Sequence, residues 1–242
     1  MMSSADSRPL GPAIPDWQPP ARPGPDVIEG RYIRLERLDP ARHAGPVFAA
    51  TASDAAVWDY MSNGPFTDVR VLQDWMAGAD GGDKVFYAFV DPATGRAFGY
   101  AAFMRIDEAS GVLEIGHVVI APAVQRSRAA SEVLMAMIRF AFEAGYRRVE
   151  WKCNALNAAS RRAARRYGFA FEGTFRQHLI IKGRSRDTAW FAMTNQDWPE
   201  LSQAYAAWLE PENFDASGIQ QRSLSSLIRD HVARVEAAMR AD

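Results

Sequence analysis

An apolar run, Glu114-Ile-Gly-His-Val-Val-Ile120, enters the basic turn Gln125-Arg-Ser-Arg128 and then a stretch with helical spacing that begins Ala129-Ala-Ser131. That order builds an anion site. The first turn of a helix has backbone N–H groups without intrahelical partners, and its aligned peptide dipoles leave partial positive charge there. Phosphates bind such ends. Arg126 and Arg128 add charge, and Gln125, Ser127 and Ser131 add neutral hydrogen-bonding groups. An ordinary connection with solvated arginines looks the same, so the turn alone leaves both readings open. The strand itself offers proton-transfer groups: Glu114 and His117 stand three residues apart, which strict alternation puts on opposite faces. One of the two should then point away from any cleft beside the strand. Further on, Asn157 and Ser160 open another helical stretch, where a side-chain oxygen caps the first turn and a hydroxyl either does the same or meets a ligand.

A sheet must hold these groups. Val85–Val90, Ala97–Met104 and Val112–Ile120 are strand-like runs separated by turn residues, which predicts a β-meander. Tyr32–Leu38 alternates as a half-buried strand, and helices are expected near residues 41–50 and 69–76. Helical spacing from about Ala130 to Ala144 puts Leu134, Met137, Ile138, Ala141 and Phe142 on one apolar face, with Gly145 as its stop. Arg148–Cys153 alternates again. Strand, helix and strand in succession imply a parallel crossover. A helix capped by Asn157 should run to about Tyr167, and Phe175–Ile181 and Thr188–Met193 should pair around the turn 182–186. After Trp198 the pattern is helical, broken at 211–218 and resumed from about Ser223 to Met239, which we read as an extension packed on the domain. Ahead of the sheet, seven prolines from Pro9 to Pro25 predict an extended tail.

Composition bounds the function classes. The chain has 242 residues, 48% of them hydrophobic and 24% charged, enough for one well-buried main domain. Its net charge of −1 argues against the broad positive surface of a general nucleic-acid binder. Cys153 is the single cysteine, so neither an intrachain disulfide nor a cysteine metal cluster is available. No apolar run approaches the roughly 18 to 20 residues of a membrane span, and the N-terminus lacks the features of a signal peptide. A cytoplasmic protein without membrane attachment is the expectation.

Two motifs together resemble the GNAT superfamily of acyl-CoA-dependent N-acyltransferases, in particular its RimJ/RimL-like branch. Gln125-Arg-Ser-Arg-Ala-Ala130 matches the family's Gln/Arg-x-x-Gly-x-Gly/Ala signature between strand and helix. Asn157-Ala-Ala-Ser160 through Gly168-Phe169 matches its downstream Asn-x-x-Ser/Ala helix. The resemblance covers about residues 30–197. It implies an α/β (α+β) GNAT fold: a central mixed twisted sheet of six to seven strands flanked by helices and splayed between strands 4 and 5. The expected organisation is a flexible tail over 1–29, the acetyltransferase domain over 30–197 and a C-terminal helical extension over 198–242. The two departures are Arg128 at the first glycine position and Ala164 where many members carry the tyrosine that protonates the leaving thiolate. If the turn is already near-helical, Arg128 is tolerated there and its side chain is free to meet phosphate.

What the resemblance implies for chemistry is direct acetyl transfer from acetyl-CoA to an amine in a ternary complex, without a metal. The backbone of Val118, Val119 and Ile120 would pair with the pantetheine arm, the turn from Gln125 through Arg126, Ser127, Arg128, Ala129, Ala130 and Ser131 would take the pyrophosphate, and Asn157 and Ser160 would flank the thioester end. A primary amine of pKa near 10.4 is only on the order of one part in a thousand neutral at pH 7. A base must therefore act. Glu114 is the first candidate, through water, with His117 the alternative on the same strand; a strand-pairing carboxylate and a core histidine are the competing readings. Ser160 is the candidate donor to the sulfur in place of the missing tyrosine, and a strand N–H near Val118 would hold the oxyanion. His178 and Glu172 are secondary candidates for which structural roles are expected. The arginines 161, 162, 165 and 166 form a basic helical face, and Glu150 and Lys152 have the pattern of an exposed strand pair. The partners implied are acetyl-CoA and an amine acceptor, with a homodimer left open. The rival is a non-catalytic acyl-CoA-binding or regulatory protein of the same fold, and a weaker third reading is an RNA-associated protein that uses the arginine helix.

Overall fold

The computed structural model describes residues 10–241. Part of the expected tail, residues 1–9, lies outside them. The chain begins its sheet with β1 (Val27–Glu29) and β2 (Arg34–Arg37), followed by α1 (Pro40–Thr51) and α2 (Val69–Ala77). The meander follows as β3 (Val85–Val90), β4 (Ala97–Asp107) and β5 (Val112–Ile120). Then come α3 (Arg128–Glu143), β6 (Arg148–Asn154), α4 (Ala158–Arg166), β7 (Ala170–Ile181) and β8 (Arg184–Thr194). The extension consists of α5 (Trp198–Leu209), α6 (Leu224–Leu227) and α7 (Arg229–Ala241).

The eight strands form one mixed sheet in the order β1-β2-β3-β4-β5-β6-β8-β7. That is one strand beyond the expected six to seven, the addition being the three-residue β1, which pairs with β2 ahead of the expected boundary at Gly30. Every neighbouring pair is antiparallel except β5 and β6, which α3 connects as a parallel crossover. Each face of the sheet has its own apolar layer. Phe103, Leu113, Ile115, Val149 and Trp151 pack with the α3 and α5 side. Val47, Leu72, Phe86, Tyr100 and Val119 pack with α1 and α2. The aromatics Phe86, Tyr87, Phe89, Tyr100 and Phe103 are all buried and belong to these layers.

The parallel pair is short. β5 and β6 are in register only at Val112↔Arg148, Leu113↔Val149 and Glu114↔Glu150, so beyond Glu114 the two strands diverge. This is the expected splay, between the strands numbered β5 and β6 here. Both termini of the fold are fastened to it. Trp17 donates its indole N–H to the Ala109 carbonyl at 2.8 Å, and Tyr146 donates its hydroxyl to the carbonyl of Ala21 at 3.3 Å. At the other end Trp198 stacks on Phe142 of α3 with ring centroids 5.2 Å apart. His231 of α7 lies 3.4 Å from Asp197 and 3.2 Å from Glu200. Among the described residues no helix is long and apolar enough to cross a membrane.

Candidate active site

Beyond Glu114, one edge of β5 is paired with β4, and the edge toward β6 has no strand partner among the described residues. Free backbone groups on such an edge pair with an extended ligand as they would with a strand. The following turn reaches α3 through Arg126, whose φ of 64° places the left-handed residue two positions before Arg128. Arg128 itself is the first helical residue. No glycine is needed there, because the backbone is right-handed, and the replacement of the usual glycine has a local explanation.

Several side chains expected to meet an anion are occupied in shaping this turn. Ser127 caps α3 by accepting from the Ala130 N–H at 3.0 Å, Ser131 donates to the Ser127 carbonyl at 3.0 Å, and Gln125 donates to the Ile120 carbonyl at 3.1 Å. The Arg128 guanidinium lies 3.6 Å from the centroid of Tyr32 and 4.7 Å from that of Phe214, so two aromatic rings hold it at the groove wall. Gln125, Arg128 and Ser131 nonetheless remain in the lining of the adjoining groove. The backbone N–H groups of Arg128 and Ala129 have no acceptor among the described residues, so the helix end keeps two directed donors. That end adjoins a groove of about 980 Å³ lined by Arg128 and Ala130, which also takes in Arg126, Arg162, Arg165 and Arg166 from the turn and α4, and Trp208, Ile219 and Arg229 from the extension.

A second cavity, about 250 Å³, lies in the splay. Glu114, Ser160, His117 and His178 all line it, together with Lys152, Cys153 and Arg186. The joint presence of Glu114 and His117 overturns the expectation from alternation. Tyr100 pairs with Val119 and Ala102 with Gly116, so His117 and Val118 together oppose Ala101 in a β-bulge, and His117 takes φ 51°. The extra residue reverses the alternation and returns both side chains to one face. His117 then packs against Phe86 and Trp75 with ring centroids 5.3 and 6.3 Å away. Burial, with Lys84 adding repulsion, lowers its pKa to about 4. It is neutral at pH 7 and a weak base.

Glu114 is buried, with Oε2 3.1 Å from Lys152 Nζ and 3.3 Å from Arg105 Nε. Lys152 is not an exposed strand residue. Its side chain is 6% exposed, 2.6 Å from Glu150 and 3.8 Å from the centre of the Trp190 ring. The two carboxylates that share this ammonium differ. Burial pushes the Glu114 carboxyl up and prevails over Lys152 and Arg105, with the Glu150 charge adding to the rise. For Glu150 burial also pushes upward, yet hydrogen bonds from Lys152 and Arg148 outweigh it and hold the group below its ordinary value. Paired carboxyls with opposed shifts have different protonation roles.

On the far side, Asn157 caps α4 by accepting from the Ser160 N–H at 3.0 Å, and the Ser160 hydroxyl accepts from the Trp151 indole at 2.9 Å. The Ser160 proton is left to another acceptor, and the Cys153 sulfur is one such neighbour. Ala164 is fully buried in the core, and Tyr167 is a buried neighbour of Trp151 that does not line the splay cavity. His178 lies with Nδ1 3.0 Å from Thr188 Oγ1. Glu172 makes a two-point pair with Arg148 at 2.8 and 2.6 Å, a structural role.

The acetyltransferase (GNAT) domain family matches residues 33–170. The chain belongs to the GNAT acetyltransferase family. A GCN5-related N-acetyltransferase from Brucella melitensis is 42% identical, covering 90% of this chain and 100% of that one, with a TM-score of 0.86. A probable GNAT acetyltransferase from Chromobacterium violaceum is 37% identical over 79% of this chain and 98% of that one, with a TM-score of 0.76. RimL, a ribosomal α-N-protein acetyltransferase solved in complex with coenzyme A, shares the fold at 21% identity and a TM-score of 0.58, over 69% of this chain and 97% of that one. No curated protein matches the chain.

GNAT proteins use acetyl-CoA for acyl transfer, and the residues of this member fit that ligand. Its helix-end amides, open strand edge and arginine-lined groove suit a pyrophosphate, a pantetheine arm and further phosphate in turn. Sequence reasoning missed Lys152 and Arg186. The signal for Lys152 was weak, because a lysine alternating with buried residues reads as solvent-facing. The groove wall from Trp208 to Val232 was also missed, since the extension has no motif of its own.

Proposed function

We propose that this protein transfers an acetyl group from acetyl-CoA directly to a primary amine in a ternary complex, with Glu114 as the base, as a cytosolic enzyme of the RimJ/RimL-like branch. The observation that carries the reading is Glu114 itself: a buried carboxyl of raised pKa at the root of the splay, in one cavity with Ser160. Acetyl-CoA supplies the activated thioester carbonyl. The amides of Arg128 and Ala129 bind the pyrophosphate, the β5 edge from Val118 to Ile120 binds the pantetheine arm, and Arg162, Arg165 and Arg166 lie where further phosphate charge is expected. Glu114 takes the amine proton, directly or through one water, and its raised pKa strengthens it as an acceptor. Ser160, polarised by the Trp151 indole, donates toward the sulfur and does what the absent tyrosine would do. The Val118 N–H stabilises the oxyanion.

The test is thiol release from acetyl-CoA over a panel of amines. Acetylation of at least one amine, lowered about 10²- to 10⁴-fold in turnover by Glu114→Gln, upholds the reading. Tight coenzyme A binding with no acetylation of any amine would leave the non-catalytic acyl-CoA-binding alternative in its place.

A further inference from the structure

Arg186 of β8 lines the splay cavity, and its Nε is buried without a hydrogen-bond partner. Among the described residues its guanidinium forms no ion pair and donates to no acceptor. Its treatment differs from that of other arginines near the site: Arg105 meets Glu114, and Arg148 meets both Glu150 and Glu172. Glu114 attracts Arg186 without closing an ion pair, and a partly buried guanidinium left so is costly unless a ligand completes it. The cavity lining is cationic, because Arg105, Lys152 and Arg186 outnumber Glu114 even with Glu150 paired to Lys152. A simple protonated amine is repelled by such a lining. The same compound with a carboxylate has no net charge and is drawn to the fork of Nε and Nη donors. Nor do the coenzyme phosphates answer this need, for the helix-end amides and the arginines of α4 lie on the other, larger groove.

We infer that the acceptor is a small amino acid or a similar amine carrying a carboxylate, whose carboxylate pairs with Arg186 while its amine faces Glu114. The cavity, about 250 Å³, also takes the thioester end beside Ser160, which leaves room only for a small acceptor. This rests on the acyl-transfer reading above and names its acceptor class. Arg186 is therefore a specificity-determining residue: it sets which amine is held, and Glu114 sets the proton path.

Steady-state acetylation is compared for free amino acids, their carboxamides, O-phosphoethanolamine, spermidine and a short N-terminal peptide. The expected result is kcat/KM at least about tenfold higher for a free acid than for its amide, with that ratio collapsing through KM in Arg186→Met and recovering in part in Arg186→Lys. Preference for the amide, the polyamine, the phosphate compound or the peptide overturns the inference, as does a free-acid preference that survives Arg186→Met. A titration of N-acetylglycine into the coenzyme A-loaded protein reads the anion site separately from turnover. Binding weakened about tenfold by Arg186→Met supports the site, and equal binding in both proteins overturns it. If no amine is acetylated but N-acetylglycine binding still depends on Arg186, the anion site stands and acyl transfer does not.

Discussion

At the scale of single residues, the site is governed by how three titratable groups share one buried ammonium and a bulge. Glu114 is raised by burial and works as a base only after losing its proton, so turnover should rise with pH from within or above the ordinary carboxylate range. In a pH profile of kcat/KM, Glu114→Gln should remove that acid limb, and a limb that persists in the variant would assign it to another group. His117 acts in the opposite way and on stability. Its folded pKa is lowered from 6.5 to about 4, so between those values the unfolded chain binds more protons. Stability present above pH 6.5 is therefore lost as pH falls toward 4, by up to about 3 kcal/mol at about 1.4 kcal/mol per pKa unit. The raised Glu114 contributes with the reverse sign over part of that window, so the contrast must be with His117→Gln, which keeps Glu114. Urea melts from pH 7 to pH 4 should show a shallower loss in the variant; parallel curves would mean that the imidazole has no such linkage. Glu114, His117 and Ser160 were legible as candidates from residue type and spacing, but their meeting in one cavity was not. Alternation separates Glu114 from His117, and only the β4–β5 register, a long-range pairing, reveals the bulge that rejoins them.

At the scale of elements, helix starts and strand edges position the site, and these were the parts most plainly written in the sequence. Gln125–Ser131 and Asn157–Ser160 open α3 and α4 where expected, because caps and turn residues act locally. What the turn does with its side chains was less legible. Whether Ser127 caps the helix or meets a ligand depends on a distance that the sequence does not contain. Asn157 does its capping with a measured bond to the Ser160 N–H, and the same first turn carries the Ser160 hydroxyl into the cavity. Asn157→Ala should cost about 1 kcal/mol of stability and also weaken coenzyme A binding, since the turn that aims Ser160 loosens. Thermal melting and titration calorimetry report the two effects apart. An unchanged melting temperature with unchanged affinity would show that α4 starts equally well without its cap.

At the scale of the whole molecule, the extension and the N-terminal strand region meet at the cofactor groove, and α3 is where they meet. Tyr32, just ahead of β2, and Phe214, from the segment after α5, hold the two sides of the Arg128 guanidinium. The Glu132 carboxylate of α3 accepts from the backbone N–H groups of Arg31 and Tyr32 at 2.6 and 2.7 Å, and Arg31 in turn meets Glu210 at 3.0 Å. Thus the extension beyond residue 197 is part of the groove wall and is tied to the helix end that presents the free amides. No local pattern announces this, because the contacts join positions about 180 residues apart. The right-handed backbone admits Arg128 in place of glycine, and two distant rings then fix where its side chain lies. Phe214→Leu keeps an apolar side chain but removes one ring. Loss of a cation–π contact worth about 0.5 to 2 kcal/mol corresponds to roughly two- to thirtyfold. Coenzyme A affinity should therefore fall within that range, while the pH profile of turnover at saturating cofactor stays that of the parent, because Glu114 is in the other cavity. Titration of the variant with coenzyme A at constant ionic strength decides the matter. Affinity equal to the parent's would mean that the rings serve only to pack the extension and that the amides of α3 are held in place without them.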